Sequence, residues 1–332
     1  MPTEPVNILV TTPIGEEFLS QISAISPRIR VHDISRLVKA DLAGDLTSVD
    51  ELDAALSEAE IIYGLRLPRN LFTRAPKLKW VQVMSAGVDR FLDGGFRRSP
   101  VVLTNVSGIH ATPIGEFVLE QMLMFAKNAP LCFDLKQKKQ WRRYTPTVLR
   151  GKTVGIIGLG SIGQEVARLS KAFRMRVVAT RRSARRTTRA RNVDLMLPRQ
   201  ELPQLLAESD YVVITLPYTR ETEGLFGETE LHTMKSSAYL INIGRGRIID
   251  EDALVRALSE NWIAGAGLDV FATEPLPPES KLWDLPNVIF SPHVSGGMED
   301  YNVHATELFC NNLKRYLEGK RLFNVVGKKR GY

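Results

Sequence analysis

The chain has 332 residues, of which 44% are apolar, 24% charged and 8% aromatic, a composition typical of a soluble globular protein. One hydrophobic core seldom organises a chain of this length, so we expect two domains. No apolar run approaches the roughly 20 residues of a membrane-spanning helix, and the start of the chain lacks the pattern of a secretory signal. Cys132 and Cys310 are the only cysteines, too few for a disulfide framework. We therefore expect a cytoplasmic protein without a membrane partner.

The formal net charge of +7 is concentrated in one short stretch. Six arginines with no acidic residue among them lie between positions 181 and 191, namely Arg181, Arg182, Arg185, Arg186, Arg189 and Arg191. Leaving these six out lowers the net charge from +7 to +1, so the sequence has no broad basic surface. This distribution argues against a nucleic-acid partner, and the cluster needs a local explanation.

Short apolar runs alternate with segments of helical periodicity along the first third of the chain. This alternation predicts a parallel β-sheet with crossover helices. The predicted strands are residues 7–11, 61–63, 80–83 and 101–104, and the predicted helices include residues 49–59 and 112–127.

A second series of apolar runs follows with the same alternation. The six predicted strands are residues 154–157, 177–180, 211–215, 239–242, 264–268 and 288–290. Six strands with helix-length connections match the two mononucleotide-binding halves of a doubly wound sheet. A long helix over residues 298–318, with Gly319 as its C-terminal stop, then closes the chain.

This closing helix follows the sixth strand so directly that we expect it to return to the first domain. The predicted fold class is therefore α/β, with two doubly wound domains. A Rossmann nucleotide-binding domain over residues 105–293 is inserted into a flavodoxin-like substrate domain, which consists of residues 1–104 and 294–332. We expect the active site in a cleft between them.

A glycine-rich turn, VGIIGLGSIG, joins the first strand of the second domain to the next predicted helix. Gly158 permits the tight turn, Gly160 lets the backbone approach a pyrophosphate, and Gly163 lets helix and strand pack closely. Ser161 and Ile162 open the helix, whose first N–H groups are donors for phosphate. Because a strand precedes the turn and a helix follows it, the pattern predicts a dinucleotide site.

The residue that ends the next strand selects the cofactor in a site of this kind. An NAD-binding site has an acidic residue about 20 positions further on, where it binds the 2′-hydroxyl of the ribose. Here Thr180 ends the strand and is followed by Arg181 and Arg182. Guanidinium groups bind phosphate, so the sequence predicts NADP(H) in preference to NAD(H). The arginines from Arg185 to Arg191 are interpreted as a solvated face.

Polar side chains follow the last three predicted strands. Arg245 follows the fourth strand, Asp269 and Glu274 follow the fifth, and His293 follows the sixth. Ligands of doubly wound sheets bind outside the carboxyl ends of the strands. We therefore expect an arginine, two acids and a histidine at the edge of one cleft.

Taken in order, these motifs resemble the D-isomer-specific 2-hydroxyacid dehydrogenase family over nearly the whole chain. The matching segments are the glycine turn, SDYVVITLP at 209–217 with Thr222, the signature NIGRG at 242–246, Asp269, Glu274-Pro275, and Ser291-Pro-His293. Length and motif order are most similar to the glyoxylate/hydroxypyruvate-reductase-like members. The resemblance implies a homodimeric enzyme that transfers a hydride between NADP(H) and a small 2-oxo acid such as glyoxylate, hydroxypyruvate or pyruvate.

The resemblance also implies the role of each polar side chain. His293 is the acid/base that protonates the carbonyl oxygen, and Glu274 favours its protonated form and fixes its orientation. Arg245 holds the substrate carboxylate and polarises the carbonyl. Asp269 resembles the family acid near the nicotinamide, with a structural hydrogen-bond acceptor as the alternative interpretation.

Further residues follow from the same resemblance. Ala86 and Gly87 lie in the loop whose backbone amides hold the substrate carboxylate, and Arg245 and His293 are the other substrate-binding candidates. The other cofactor-binding candidates are Thr112, Leu216, Pro217, Thr222, Ile243, Arg245, Asp269, His293, Ser295 and Gly296. Gly115 and Thr215 depart from the family pattern, which commonly has alanine and histidine at these places. No metal site is predicted.

Two alternatives stay open. The first is another substrate on the same fold, 3-phosphoglycerate or phosphite. The second belongs to a different class, a nucleotide-sensing co-repressor, since such proteins keep the catalytic residues. The sequence lacks a long disordered tail, which argues against the co-repressor.

Overall fold

The computed structural model describes residues 4–92 and 94–331. Its contacts divide the chain into two units, Met1–Ile109 with Met298–Tyr332, and His110–Gly297. Each unit is an α/β domain with hydrophobic clusters on its sheet. None of the helices described is long and apolar enough to cross a membrane.

The chain passes from one unit to the other a few residues later than the predicted domain boundaries. The first is at Ile109 rather than residue 104, because the N–H groups of Asn105 and Val106 still donate to carbonyls of the first unit. The second is at Gly297 rather than residue 293, because the N–H groups of Val294 and Ser295 still donate to the Asp269 carboxylate of the second unit.

The first unit contains five parallel strands in the order β2-β1-β3-β4-β5, which is the flavodoxin-like order. Its elements in chain order are β1 (Val6–Val10), α1 (Glu16–Ser23), β2 (Ile29–Asp33), α2 (Ser35–Ala43), α3 (Val49–Ser57), β3 (Ile61–Gly64), α4 (Leu71–Arg74), β4 (Trp80–Val83), α5 (Gly94–Arg98) and β5 (Val102–Thr104). The predicted strands are confirmed to within one residue. Strand β2 was not predicted, because it lies at the sheet edge and buries Ile29 alone.

The second unit contains an eight-stranded sheet in the order β13-β12-β11-β10-β6-β7-β9-β8, with β8 antiparallel and the others parallel. Its elements are α6 (Ala111–Ala126), α7 (Ala129–Gln137), β6 (Thr153–Ile157), α8 (Ser161–Ala172), β7 (Arg176–Thr180), β8 (Thr188–Ala190), β9 (Val193–Leu197), α9 (Leu202–Glu208), β10 (Tyr211–Ile214), α10 (Glu228–Thr233), β11 (Tyr239–Asn242), α11 (Glu251–Ser259), β12 (Gly265–Leu268) and β13 (Val288–Phe290). The central strands are buried on both faces, as parallel sheets covered by helices require.

The prediction of six strands in this sheet is wrong by two. The fully exposed edge strand β8 and its neighbour β9 were missed. In β9 the apolar run is interrupted by Asp194, whose carboxylate accepts hydrogen bonds from Lys171 Nζ and Val177 N–H, both at 2.8 Å. A charged side chain with such partners is tolerated inside a strand, but it interrupts the apolar run from which a strand is predicted.

The register of the second sheet aligns the ends of six strands. The last residue of each of these strands pairs with the last residue of the neighbouring strand. In their order across the sheet, these residues are Thr180, Ile157, Ile214, Asn242, Leu268 and Phe290. Every motif of the second unit singled out above therefore leaves the sheet at one carboxyl edge.

The last helix, α12 (Tyr301–Leu317), belongs to the first unit, as predicted. Phe309 of α12 stacks on Tyr63 and Trp80, with ring centroids 4.2 and 5.2 Å apart. Gly319 has φ +67° and, with Lys320, returns hydrogen bonds to the last turn. This left-handed cap confirms the predicted helix stop.

Candidate active site

The turn between β6 and α8 has the geometry that its glycines predict. Gly158 has φ +101°, in the region that favours glycine, and a Cβ on Gly163 would lie 2.3 Å from the carbonyl oxygen of Gly158. A Cβ on Gly160 would meet no described atom within 4 Å. Ser161 and Ile162 begin α8 beside this open space. These residues fit the pyrophosphate of a dinucleotide, with the first N–H groups of α8 as donors.

Strand β7 ends next to this turn. Thr180 is buried, and its carbonyl accepts a hydrogen bond from Gly158 N–H at 3.2 Å. Arg181 and Arg182 follow it and are exposed, in a turn closed by a 2.9 Å bond from Ala184 N–H to Arg181 O. Both arginines thus follow directly on the strand end beside the glycine turn, at the position where an NAD site has its ribose-binding acid.

The loop after β10 supports the turn from the other side. Thr215 Oγ1 donates to the carbonyls of Ile157, at 3.2 Å, and Gly158, so this hydroxyl ties the loop to the glycine turn. Thr222 Oγ1 donates to Pro217 O at 2.8 Å, so this hydroxyl orders its own loop. Leu216 packs close to the Cα of Gly158.

Arg245 is positioned by the end of β11. The buried Asn242 side chain accepts from Gly244 N–H and donates to Arg245 O, both at 3.1 Å. A Cβ on Gly246 would lie 1.9 Å from the carbonyl carbon of Phe271. Only glycine lets the Arg245 loop press this closely against the loop that follows β12.

Glu274 and His293 form a pair. Nδ1 of His293 and Oε2 of Glu274 are 2.8 Å apart, and Oε1 of Glu274 accepts from Phe271 N–H at 3.0 Å. Both carboxylate oxygens are thus engaged, which fixes the orientation of the acid. A hydrogen bond from Nδ1–H orients the imidazole and leaves Nε2 to exchange a proton. The His293 side chain is 47% exposed, so the imidazole is not enclosed by the fold.

Asp269 holds the loop that carries His293. Its carboxylate, almost completely buried, accepts hydrogen bonds from Ser291 Oγ at 2.6 Å, Val294 N–H at 2.8 Å and both donor groups of Ser295, and its carbonyl accepts from His293 N–H at 3.0 Å. These bonds favour the interpretation of Asp269 as a structural acceptor. His293 itself has φ +54°, a conformation that a residue other than glycine keeps only where its surroundings impose it.

A second imidazole lies beside this loop, that of His110, which as a lone histidine is interpreted from the sequence as structural. A Cβ on Gly296 would lie 2.9 Å from Cδ2 of His110, which precedes α6. Burial lowers the pKa of His110, so its ring is neutral at physiological pH. No sequence signal marks it, because its neighbour is distant in the chain. Thr112 is exposed in the first turn of α6, and Ile243 is buried after β11.

The remaining residues that the sequence singles out lie elsewhere in the two units. Gly115 of α6 faces α8, where a Cβ would lie 2.7 Å from Cγ of Glu165, and this contact explains the departure from alanine. Ala86 and Gly87 lie in the first unit, half-buried in the loop after β4. Within the described ranges, no group of three His, Cys, Asp or Glu side chains is placed to hold a metal ion.

Residues 119–295 match the family model described as D-isomer specific 2-hydroxyacid dehydrogenase, NAD binding domain. The glyoxylate reductase of Aeropyrum pernix is 36% identical over 284 residues, which cover 82% of this chain and 84% of that protein. The glyoxylate/hydroxypyruvate reductase B of Pectobacterium carotovorum is 36% identical over 298 residues, covering 84% and 91%. The crystal structure of an NADPH-dependent glyoxylate/hydroxypyruvate reductase from Sinorhizobium meliloti, in complex with NADP and sulfate, matches with a TM-score of 0.82 at 30% identity, covering 98% of this chain and 100% of that one.

Proposed function

The chain belongs to the family of D-isomer-specific 2-hydroxyacid dehydrogenases, and we propose that it reduces a small 2-oxo acid to the D-2-hydroxy acid with NADPH. The single observation that carries this proposal is the hydrogen-bonded pair of His293 and Glu274 on adjacent strand ends, one strand from Arg245. Relatives that act on glyoxylate and hydroxypyruvate support a small substrate.

His293 supplies the proton in this scheme. Reduction of a carbonyl requires a proton on the oxygen while a hydride reaches the carbon, and a bound nicotinamide supplies that hydride. His293 donates from Nε2, and Glu274 keeps the ring oriented through Nδ1. The carboxylate also stabilises the imidazolium form that precedes the transfer.

Arg245 binds the substrate in this scheme. Its planar guanidinium can contact the carboxylate of a 2-oxo acid through two donors, and it stabilises negative charge that develops on the carbonyl oxygen. The half-buried position and the ordered loop limit the number of conformations that the side chain can adopt. The backbone amides of Ala86 and Gly87, in the first unit, are further proposed donors to a substrate carboxylate.

The preference for NADPH over NADH rests on Arg181 and Arg182. Both are exposed at the end of β7, and the positions from 181 to 191 contain no carboxylate to repel a 2′-phosphate. Replacing Arg181 by Asp and Arg182 by Gln is expected to lower kcat/KM for NADPH about 100-fold and to spare NADH. The matched control replaces Arg185 and Arg186 by Gln in the same cluster. Equal losses in the two double variants would contradict the assignment.

We further propose a cytoplasmic homodimer without a nucleic-acid partner. The exposed apolar side chains of Phe133, Trp141 and Val148, in and after α7, give a second copy a surface to cover. Cys132 and Cys310 are both free thiols, which suits a reducing compartment. Sedimentation of the wild type and of Trp141→Ser tests the dimer, and a wild-type monomer would exclude it.

The reaction is tested by following NADPH and NADH oxidation with glyoxylate, hydroxypyruvate, pyruvate and bulkier 2-oxo acids. We expect turnover with NADPH on at least one small 2-oxo acid, and chiral chromatography of a chiral product should show the D-isomer. Tight nucleotide binding without turnover on any of them would instead support the nucleotide-sensing alternative.

A further inference from the structure

The loop after β4 is fixed through four consecutive carbonyl groups. Each carbonyl from residue 84 to residue 87 accepts a hydrogen bond from a donor of the first unit. The four bonds run from Tyr301 Oη to Met84 O at 2.8 Å, from Val106 N to Ser85 O at 3.3 Å, from Asn105 Nδ2 to Ala86 O at 2.7 Å, and from Ser85 Oγ to Gly87 O at 2.8 Å.

Holding the carbonyls also fixes the N–H groups of the loop. In a planar trans peptide the N–H points opposite to the C=O of the preceding residue. The N–H groups of Ala86 and Gly87 therefore point away from the donors that hold Ser85 O and Ala86 O. Because Ser85 O and Ala86 O already accept hydrogen bonds, neither carbonyl turns toward an anion bound on the N–H side of the loop. The two donors, Val106 N–H and Asn105 Nδ2, belong to neighbouring residues, so the N–H groups of Ala86 and Gly87 face the opposite side of the loop together, and consecutive N–H groups on one side of a turn are donors for an anion.

Two of the donors are side chains that are themselves held in place. Asn105 is 7% exposed, and its Oδ1 accepts from Ser107 N–H at 3.0 Å, which directs Nδ2 toward Ala86 O. Tyr301 is the first residue of α12. Burial raises the pKa of Tyr301 to about 12, so its hydroxyl stays a donor at physiological pH.

We propose that Asn105 and Tyr301 are positioning residues for substrate recognition: Asn105 holds Ala86 O, opposite the N–H of Gly87, and Tyr301 holds Met84 O at the start of the loop, so that the backbone amides of Ala86 and Gly87 bind the substrate carboxylate. This inference rests on the proposed function, which supplies the carboxylate. Neither side chain needs to touch the substrate, because each acts through the backbone of the loop.

The chain offers a matched control for Tyr301. Tyr316 lies on the same helix, and its hydroxyl donates to Glu60 Oε1 at 2.6 Å, outside the loop. Tyr301→Phe is expected to raise KM for the 2-oxo acid about fivefold, and Tyr316→Phe is expected to leave it unchanged. Neither variant should alter the affinity for NADPH. Thermal unfolding of both variants shows whether they lose comparable stability.

Asn105→Asp provides a readout that a merely structural role would not give. At neutral pH the introduced carboxylate faces the carbonyl of Ala86 and repels it, so KM is expected to rise about 10- to 100-fold. Once protonated, the carboxyl group can donate to that carbonyl. The ratio of variant to wild-type KM should therefore fall as the pH is lowered from about 8 to about 5.

Calorimetric titration of each protein with oxalate separates this inference from the proposed function. Oxalate carries the carboxylate but cannot be reduced. If the wild type binds oxalate without turning over any 2-oxo acid, the proposed function fails, and weaker oxalate binding by Tyr301→Phe and Asn105→Asp still supports the inference. Unchanged KM and oxalate affinity in both variants, or a wild type that does not bind oxalate, would overturn the inference.

Discussion

Nδ1 of His293 lies 2.8 Å from Oε2 of Glu274, and the two residues belong to loops that leave neighbouring strands, β13 and β12. The other oxygen of Glu274 is bound to the backbone of its own loop. The backbone of this loop therefore fixes the Glu274 carboxylate, and the carboxylate in turn orients the His293 ring. An imidazole oriented in this way presents Nε2 in one direction, as proton transfer to a bound carbonyl requires.

Glu274→Gln tests this orientation. The amide keeps the size of the side chain but carries no charge beside the imidazole that donates the proton, so kcat for reduction should fall about 10- to 100-fold. Glu279→Gln, on the exposed part of the same segment, is the control. A kcat in Glu274→Gln equal to that of the wild type would contradict the assigned role.

Arg245→Lys tests the binding of the carboxylate. Lysine keeps the charge but loses the planar pair of donors, so KM for the 2-oxo acid should rise about 10- to 100-fold, with a similar dissociation constant for NADPH. Arg247→Lys is the neighbouring control, because Arg247 is exposed two residues further on. Steady-state kinetics with each substrate varied separates the two constants. Equal effects of both variants on KM would place the carboxylate elsewhere.

Two substitutions in the glycine turn are expected to have opposite effects, one on stability and the other on nucleotide affinity. In Gly163→Ala the new Cβ would lie 2.3 Å from Gly158 O, so the fold should lose about 1–3 kcal/mol of stability. In Gly160→Ala no described atom is close, so stability should change little, while NADPH affinity falls about tenfold because the methyl group occupies the approach of the pyrophosphate. Chemical denaturation and nucleotide titration distinguish the two. A stable Gly163→Ala variant would mean that the turn relaxes.

The sequence predicts most of the sheet but not its edges. The ten predicted strands lie within one residue of those observed, because central parallel strands are continuous apolar runs. Strands β2 and β8 are edge strands with mostly exposed side chains, and their patterns do not differ from those of loops. Strand β9 carries a charged residue that only its tertiary partner explains.

The candidate site likewise contains residues that local motifs predict and contacts that they do not predict. Arg245, Glu274 and His293 are visible in the sequence because each stands in a local motif at a strand end. The hydrogen bonds that collect on Asp269 come from residues more than 20 positions away in the chain, and the contact of His110 with Gly296 spans still more. Such relationships depend on register and packing, which a single sequence does not contain.

The pH dependence of the free energy of unfolding tests the ion pair of Asp41 and Arg74, which lies outside the candidate site. Asp41 accepts bonds from Arg69 N–H at 2.9 Å and from Arg74 Nη1 at 2.8 Å. Burial raises the pKa of Asp41, but these bonds and the two charges outweigh it and hold this pKa below its ordinary value. The pair therefore stabilises the fold above pH about 4, and this contribution is lost as the pH falls through the lower pKa of the folded state.

Asp41→Asn should accordingly cost about 1–3 kcal/mol at neutral pH and less at acid pH. Urea denaturation at several pH values measures this difference, with the exposed Asp284→Asn as control. A cost that is the same at neutral and acid pH would show that the charge of Asp41 does not contribute to stability.

The central claim is that His293 delivers the proton to the carbonyl oxygen. The most direct measurement is single-turnover oxidation of enzyme-bound NADPH by glyoxylate in the wild type and in His293→Gln, with NADPH and oxalate affinities measured in both. We expect the rate to fall about 100- to 10,000-fold while both affinities stay within about threefold. A rate in His293→Gln close to that of the wild type would contradict the claim and would require another proton donor.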